Sequence, residues 1–241
     1  MIKRGLALLL LLCMALPCAG MAEQTDERRV VYLTFDDGPK KDTPELLEEL
    51  RELDVPATFF LMGLSVRAFP DYARQIVQAG YAVGCHTMGH SISRIQEDTG
   101  FVLRDLERFQ KLMREEIDEN FSTDLFRFPG GSSSYSSYVK TLVRDAGYAW
   151  FDWNTMTGDA HYSFSSDQAM LDYTLGQTAG KDVIILLMHE GKPRTRRILP
   201  ELVAYFRENG YEFRQLSIGD EDREILSRCG AHMMWPDAAQ E

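Results

Sequence analysis

Seven β-rich apolar runs alternate with helix-like stretches between residues 30 and 216, and no other feature narrows the fold as much. The runs are VVYLTF (30–35), ATFFLMG (57–63), YAVGC (81–85), LFRF (125–128), YAWFDW (148–153), VIILLM (183–188) and EFRQL (212–216). Between them lie amphipathic stretches at 43–53, 71–80, 102–117, 138–147 and 198–210. In the first of these, Leu46, Leu47, Leu50 and Leu53 recur at helical spacing behind Thr43-Pro44. Such alternation implies parallel strands joined by helical crossovers, an α/β architecture.

Five polar segments begin where apolar runs break off: TFDDGP (34–39), HTMGH (86–90), RFPGG (127–131), GDAH (158–161) and LMH (187–189). They follow the first, third, fourth, fifth and sixth runs. Chemistry gathered at the carboxyl ends of many strands suits a β/α barrel, whereas an open sheet concentrates it at one switch point. The expected fold is therefore α/β, a distorted (β/α)7 barrel in a single domain.

Composition bounds the rest. Lys3 and Arg4 precede an unbroken apolar stretch, Leu6–Leu16, and small residues follow up to Ala22. This is the make-up of a signal peptide over 1–22, with an uncleaved anchor as the alternative. Its removal takes away two positive charges and no acid, moving the net charge from −11 to −13. An acidic surface repels phosphate, so nucleic acid is not an expected partner. The remaining length suits one core. The expected organisation is a signal peptide (1–22), a linker (23–29), the main domain (30–216) and a C-terminal extension (217–241) with a last helix near 221–228. Export implies transient membrane contact, then a location that is secreted or on the outer face of the cytoplasmic membrane, beside the cell wall. Cys13 and Cys18 leave with the leader, and Cys85, at the end of an apolar run, reads as a small core residue rather than half of a disulfide with Cys229. Nothing in the composition speaks to oligomeric state.

The polar segments carry the chemistry. Asp36 and Asp37 are adjacent at a strand end, so their side chains diverge; one can bind a metal while the other takes a proton from water. Asp-Asp-Gly-Pro is also an ordinary turn composition. His86 and His90 lie four apart, which on a helical turn would project both rings from one face. Two imidazoles and a carboxylate form the N2O set of catalytic zinc. Thr87 stands where a zincin helix has its glutamate, so the base must come from elsewhere, and Asp36 is the candidate. Arg127 precedes Pro129, Gly130 and Gly131; its guanidinium can fix a carboxylate, and a glycine N–H there can face an oxyanion. His189, beside a carboxylate, would make a general acid.

In order and spacing these segments resemble the polysaccharide deacetylases with a NodB-homology domain, a family that includes peptidoglycan N-acetylglucosamine deacetylases, chitin deacetylases and some acetylxylan esterases. The resemblance spans roughly Val30 to Leu216. It implies that Asp36 is the catalytic base, that Asp37, His86 and His90 bind a divalent metal, that Arg127 holds Asp36, and that His189 is the acid. The metal would be zinc, with cobalt or nickel acceptable to the same ligands. GYAWFDWNTMTGDA matches the family's fourth motif, placing Trp153 on its first tryptophan and Asp159 on the carboxylate that orients the acid histidine; Asp152 is the rival for that role. Pro129, Gly130, Gly131, Trp153 and Leu187 would meet substrate, Leu187 lining the acetyl pocket. Four positions depart from the pattern: Met156, Ala160, Cys85, and Gly130, which stands where an aromatic residue is common. The implied activity is metal-dependent removal of N-acetyl groups from a cell-wall polysaccharide, peptidoglycan N-acetylglucosamine first and chitin-like oligomers next. O-acetyl esterase activity and a non-catalytic glycan-binding role are the competing possibilities.

Overall fold

The computed structural model describes residues 28–236; the expected signal peptide and all of the linker except Arg28 and Arg29 lie outside the described residues. Strand β1 (Arg29–Asp36) leads to helix α1 (Thr43–Glu52), and β2 (Thr58–Leu61) to α2 (Gly63–Ala68) and α3 (Pro70–Gln78). β3 (Ala82–Cys85) is followed by α4 (Ile92–Glu97) and α5 (Phe101–Glu116), then β4 (Leu125–Phe126) by a 3-10 turn (Ser132–Ser134) and α6 (Ser137–Asp145). Next come β5 (Ala149–Phe151), β6 (Thr155–Met156), α7 (Asp167–Gly176), β7 (Val183–His189), α8 (Pro193–Glu208) and β8 (Tyr211–Arg214). α9 (Asp220–Ser227) and β9 (Met233–Met234) complete the order. Proline opens α3 and α8 and stands second in α1, first-turn positions where a missing N–H costs no hydrogen bond.

The strands form one curved sheet in the order β6-β7-β1-β2-β3-β4-β5-β9. All pairs are parallel except β5 with β9. The expected α/β barrel is thus present as a half-barrel that ends at β6 and β9, two short strands added to the seven expected. Each has two residues, too few for periodicity to register. β8 is inserted below β2: β1 pairs with β8 over Arg29–Tyr32 and with β2 over Thr34–Asp36, so two strands share one edge. Thr58 Oγ1 caps the join by accepting from Leu216 N at 2.9 Å.

Strand alternation decides which side chains enter the barrel. Along β1, Val31, Leu33 and Phe35 join the large core under the helices, while Val30 and Tyr32 face an inner cluster. By the same period of two, Thr34 and Asp36 face inward. Along β7, Ile184, Leu186 and Met188 go outward and Val183 and Ile185 inward, so Leu187 and His189 also face inward. The register pairs Asp36 with His189, bringing two residues 153 positions apart side by side at the carboxyl end of the sheet.

Within the described residues the extension, 217–236, packs onto this core. Ile225 and Leu226 of α9 enter the inner cluster with Tyr32, Phe151 and Leu216, and Tyr32 Oη donates to Asp222 Oδ1 at 2.8 Å. Truncating fully buried Ile225 to alanine is expected to cost about 3 kcal/mol in urea unfolding; a loss near zero would show that α9 is dispensable. No helix among the described residues is long and apolar enough to cross a membrane.

Candidate active site

The site grows from the end of β1. Asp36 keeps the strand direction and is buried, whereas Asp37 turns into the left-handed region with φ 71°; this breaks the strand's alternation, so the two carboxylates, expected to diverge, both face His86 Nε2. Gly38 follows because a Cβ there would lie 1.4 Å from Glu190 Oε1. Asp36 Oδ1 accepts from Arg127 NH1 at 2.9 Å. Arg127, 0% exposed, also donates from NH1 to Thr34 Oγ1 at 2.7 Å and from Nε to Phe151 O at 3.0 Å. Its guanidinium carbon sits 4.2 Å above the Phe60 ring. A cation so deep is tolerated only because these donors find acceptors.

His86 and His90 meet without a helix. The chain between them is a turn with Thr87 at φ 66° and His90 at φ 54°, which corrects the helical-turn expectation. Two left-handed residues reverse the backbone within four positions and bring the ring centroids to 5.1 Å. The turn is held by Thr87 Oγ1, which accepts from His90 N at 2.9 Å, and by Asp105 Oδ2, which accepts from Met88 N at 2.9 Å. His86 Nδ1 lies 2.9 Å from the Arg127 carbonyl, so the ring proton sits there and the Nε2 lone pair is free. That Nε2 faces Asp37 Oδ1 at 3.7 Å and Asp36 Oδ2 at 3.8 Å. Burial holds the His86 pKa below the ordinary imidazole value against the opposite pull of Asp36 and Asp37.

Ligand atoms of Asp37, His86 and His90 all lie within 4.8 Å of one another, a possible metal site. Asp37 Oδ1 is buried with no hydrogen-bond partner, and an acceptor left without a donor beside a bare imidazole lone pair fits a cation.

Across from this cluster His189 Nδ1 donates to Asp159 Oδ1 at 2.7 Å. Asp159 Oδ2 also accepts from His189 N at 2.9 Å and from Thr195 Oγ1 at 2.7 Å. Burial alone would lower the His189 pKa, but the Asp159 hydrogen bond and charge, backed by Asp36 and Asp37, raise it above the ordinary value. For Asp159, burial pushes upward and is outweighed by the His189 and Thr195 hydrogen bonds, leaving its pKa lowered. Asp152, the alternative partner, instead accepts from Ser132 N and Oγ at 2.8 and 2.7 Å.

Gly130 and Gly131 both have positive φ, 71° and 86°, so this loop passes close to the cleft as only glycine does readily. The Gly131 N–H is used by Phe128 O at 3.0 Å. Tyr135 Oη donates to Pro129 O at 2.9 Å, pinning the loop. Beside Gly130 the space is closed by Ile92, whose Cδ1 would lie 3.2 Å from an added Cβ, and beside Gly131 by Trp153 at the same distance. Leu187 is buried on β7 opposite Thr34.

Several supporting residues carry no sequence signal of their own. Thr34, Thr195 and Asp105 are ordinary polar residues in regular elements. Glu190 directly follows His189, yet it turns away into a pocket where the Thr43 hydroxyl donates to it and burial pushes its carboxyl up to about 8. Cys85 and Cys229 are both free and buried.

Comparison with known proteins agrees with this geometry. The family profile described as polysaccharide deacetylase matches residues 23–151. A peptidoglycan-N-acetylglucosamine deacetylase of Bacillus cereus is 33% identical over 191 residues, covering 78% of this chain and 69% of that protein. The crystal structure of a Bacillus cereus polysaccharide deacetylase superposes with a TM-score of 0.71 at 31% identity, covering 79% of this chain and 93% of that one. A CE4 esterase from Streptococcus mutans gives 0.72 at 30% identity, covering 80% and 88%. By sequence and by fold, the chain belongs to the polysaccharide deacetylase family.

Proposed function

We propose that this chain is an exported, zinc-dependent N-deacetylase of cell-wall glycan, acting on peptidoglycan N-acetylglucosamine first and on chitin-like oligomers next. The observation that carries the reading is the convergence on one cleft of the Asp37–His86–His90 donor set, the Arg127-held carboxylate of Asp36 and the Asp159-held imidazole of His189. A divalent cation held by Asp37, His86 and His90 would supply Lewis-acid polarisation of the acetyl carbonyl and acidify water, and two imidazoles with one carboxylate suit zinc, cobalt or nickel. Asp36 takes the proton as water attacks, with Arg127 fixing its orientation. The Gly130 N–H faces the developing oxyanion, and Leu187 lines the pocket for the acetyl methyl. His189, its Nδ1 engaged by Asp159, delivers a proton from Nε2 to the departing amine. The leader-like composition of residues 1–22 supports export, which would set the enzyme beside its polymer.

The test is acetate release from N-acetylglucosamine oligomers and from purified peptidoglycan, using chelator-stripped protein before and after zinc is restored. Release only with metal is expected; metal-independent release overturns the mechanism. The similarity to an esterase favours one second reading, cleavage of O-acetyl esters by the same centre. Parallel O-acetyl and N-acetyl substrates separate the two, and glycan capture without acetate from either would indicate a binding protein.

The acid assignment predicts a pH effect. Because Asp159 raises the His189 pKa, the protonated acid persists to higher pH, and the alkaline limb of kcat reports its loss. Asp159→Asn removes that charge, so the limb is expected to move to lower pH by about one unit. An unmoved limb, measured across the profile, would remove His189 from the acid role.

A further inference from the structure

On the flank of the metal-site turn, α5 and α2 enclose a groove of about 500 Å³. Its sign is opposite to that of the chain. The whole protein carries −11, yet the groove is lined by Arg67, Arg94, Arg108 and Lys111 against only Asp105 and Glu115. Among the described residues neither Arg67 nor Arg94 has an ion-pair partner, and the Arg94 guanidinium rests 4.8 Å above the Phe101 ring. Arg108 comes no nearer to Asp105 than 3.8 Å.

Asp105 is 1% exposed and lines the same groove. One of its oxygens accepts from Met88 N, while the other, Oδ1, is buried with no hydrogen-bond partner. A buried carboxylate oxygen without a donor is costly, and it calls for an N–H from a ligand. Lys111 is paired with Glu115 at 3.6 Å, so the groove offers the guanidinium groups of Arg67, Arg94 and Arg108 for carboxylates, and an acceptor for an amide or amine N–H. Its wall includes Met88 and Gly89, residues of the turn that bears His86 and His90, so whatever occupies it lies against the outer side of that turn.

We propose that this groove receives the carboxylate-bearing peptide stem of a peptidoglycan strand while a neighbouring N-acetylglucosamine lies at the Asp37–His86–His90 centre. This inference rests on the glycan deacetylase reading above and sharpens it. An uncharged chitin-like oligomer has no group for these cations, so the groove would discriminate between the two substrates. Peptide amides supply the donor that Asp105 Oδ1 lacks, and the stem's carboxylates meet Arg94 and Arg108.

The experiment compares kcat/KM for acetate release from soluble glycan strands carrying peptide stems and from the same strands after an amidase has removed them. The full protein is assayed with zinc, as wild type and as the Arg94→Ala/Arg108→Ala double variant. Charge-assisted contacts of this kind predict a preference of about tenfold for the stem-bearing strand, falling to about one in the double variant. Equal rates in the wild type, or a preference unchanged in the variant, overturn the proposal. Should no glycan release acetate, the deacetylase reading fails separately. Calorimetric titration with the free stem peptide then decides the groove: binding abolished by the double variant supports it, and absence of binding to wild type overturns it.

Discussion

Asp36→Asn is expected to lower kcat for acetate release by about a thousandfold while zinc remains bound. The asparagine keeps the shape and can still accept from Arg127, but its amide cannot take a proton from attacking water. The metal donors are Asp37, His86 and His90, none of which changes. The check pairs initial rates with zinc content by atomic spectroscopy on the same sample. Retained turnover with zinc in place would show that Asp36 is not the base; loss of zinc along with turnover would make Asp36 a ligand instead.

Arg127→Ala should be the most destabilising single change in the site. Arg127 and Asp36 are a buried pair, and removing one partner leaves the other charge without compensation, a cost of about 3–5 kcal/mol. The same change strips donors from Thr34 Oγ1 and the Phe151 carbonyl, both buried. It does not remove the main-chain oxygen at 127 that orients His86. Stability and turnover should therefore collapse further than zinc affinity does. Arg127→Lys restores the charge without the planar fork, so it should recover part of the stability and little of the activity. Urea unfolding, zinc titration and acetate release on both variants test the ordering. A loss below about 1 kcal/mol for the alanine variant would mean that the pair is not the keystone of the site.

Much of this was legible in the chain because it is local. β-rich apolar runs separated by helix-like stretches predicted the strands and their parallel arrangement. Motifs at strand ends predicted a cleft at the carboxyl edge of a barrel-like sheet. What escaped was short or non-local. β6 and β9 have two residues each. The left-handed Thr87 and His90 look like helix material when only their spacing is considered. Asp152 stayed a rival to Asp159 because each is a carboxylate near Trp153, and tertiary contacts separate them: His189 and Thr195 donate to Asp159, whereas Ser132 donates to Asp152. The C-terminal helix looked peripheral because two apolar residues, Ile225 and Leu226, show nothing of the inner cluster they enter.

By itself the sequence determined the class of architecture and the identities of the reactive groups, since periodicity and side-chain chemistry are properties of short segments. Tertiary structure decided which group faces which. The β1–β7 register set Asp36 beside His189, burial of Arg127 bound it to Asp36, and a reversed turn joined His86 to His90. Those outcomes depend on strand register and on contacts between residues far apart in the chain, energies that arise only when the whole sheet has closed around its core.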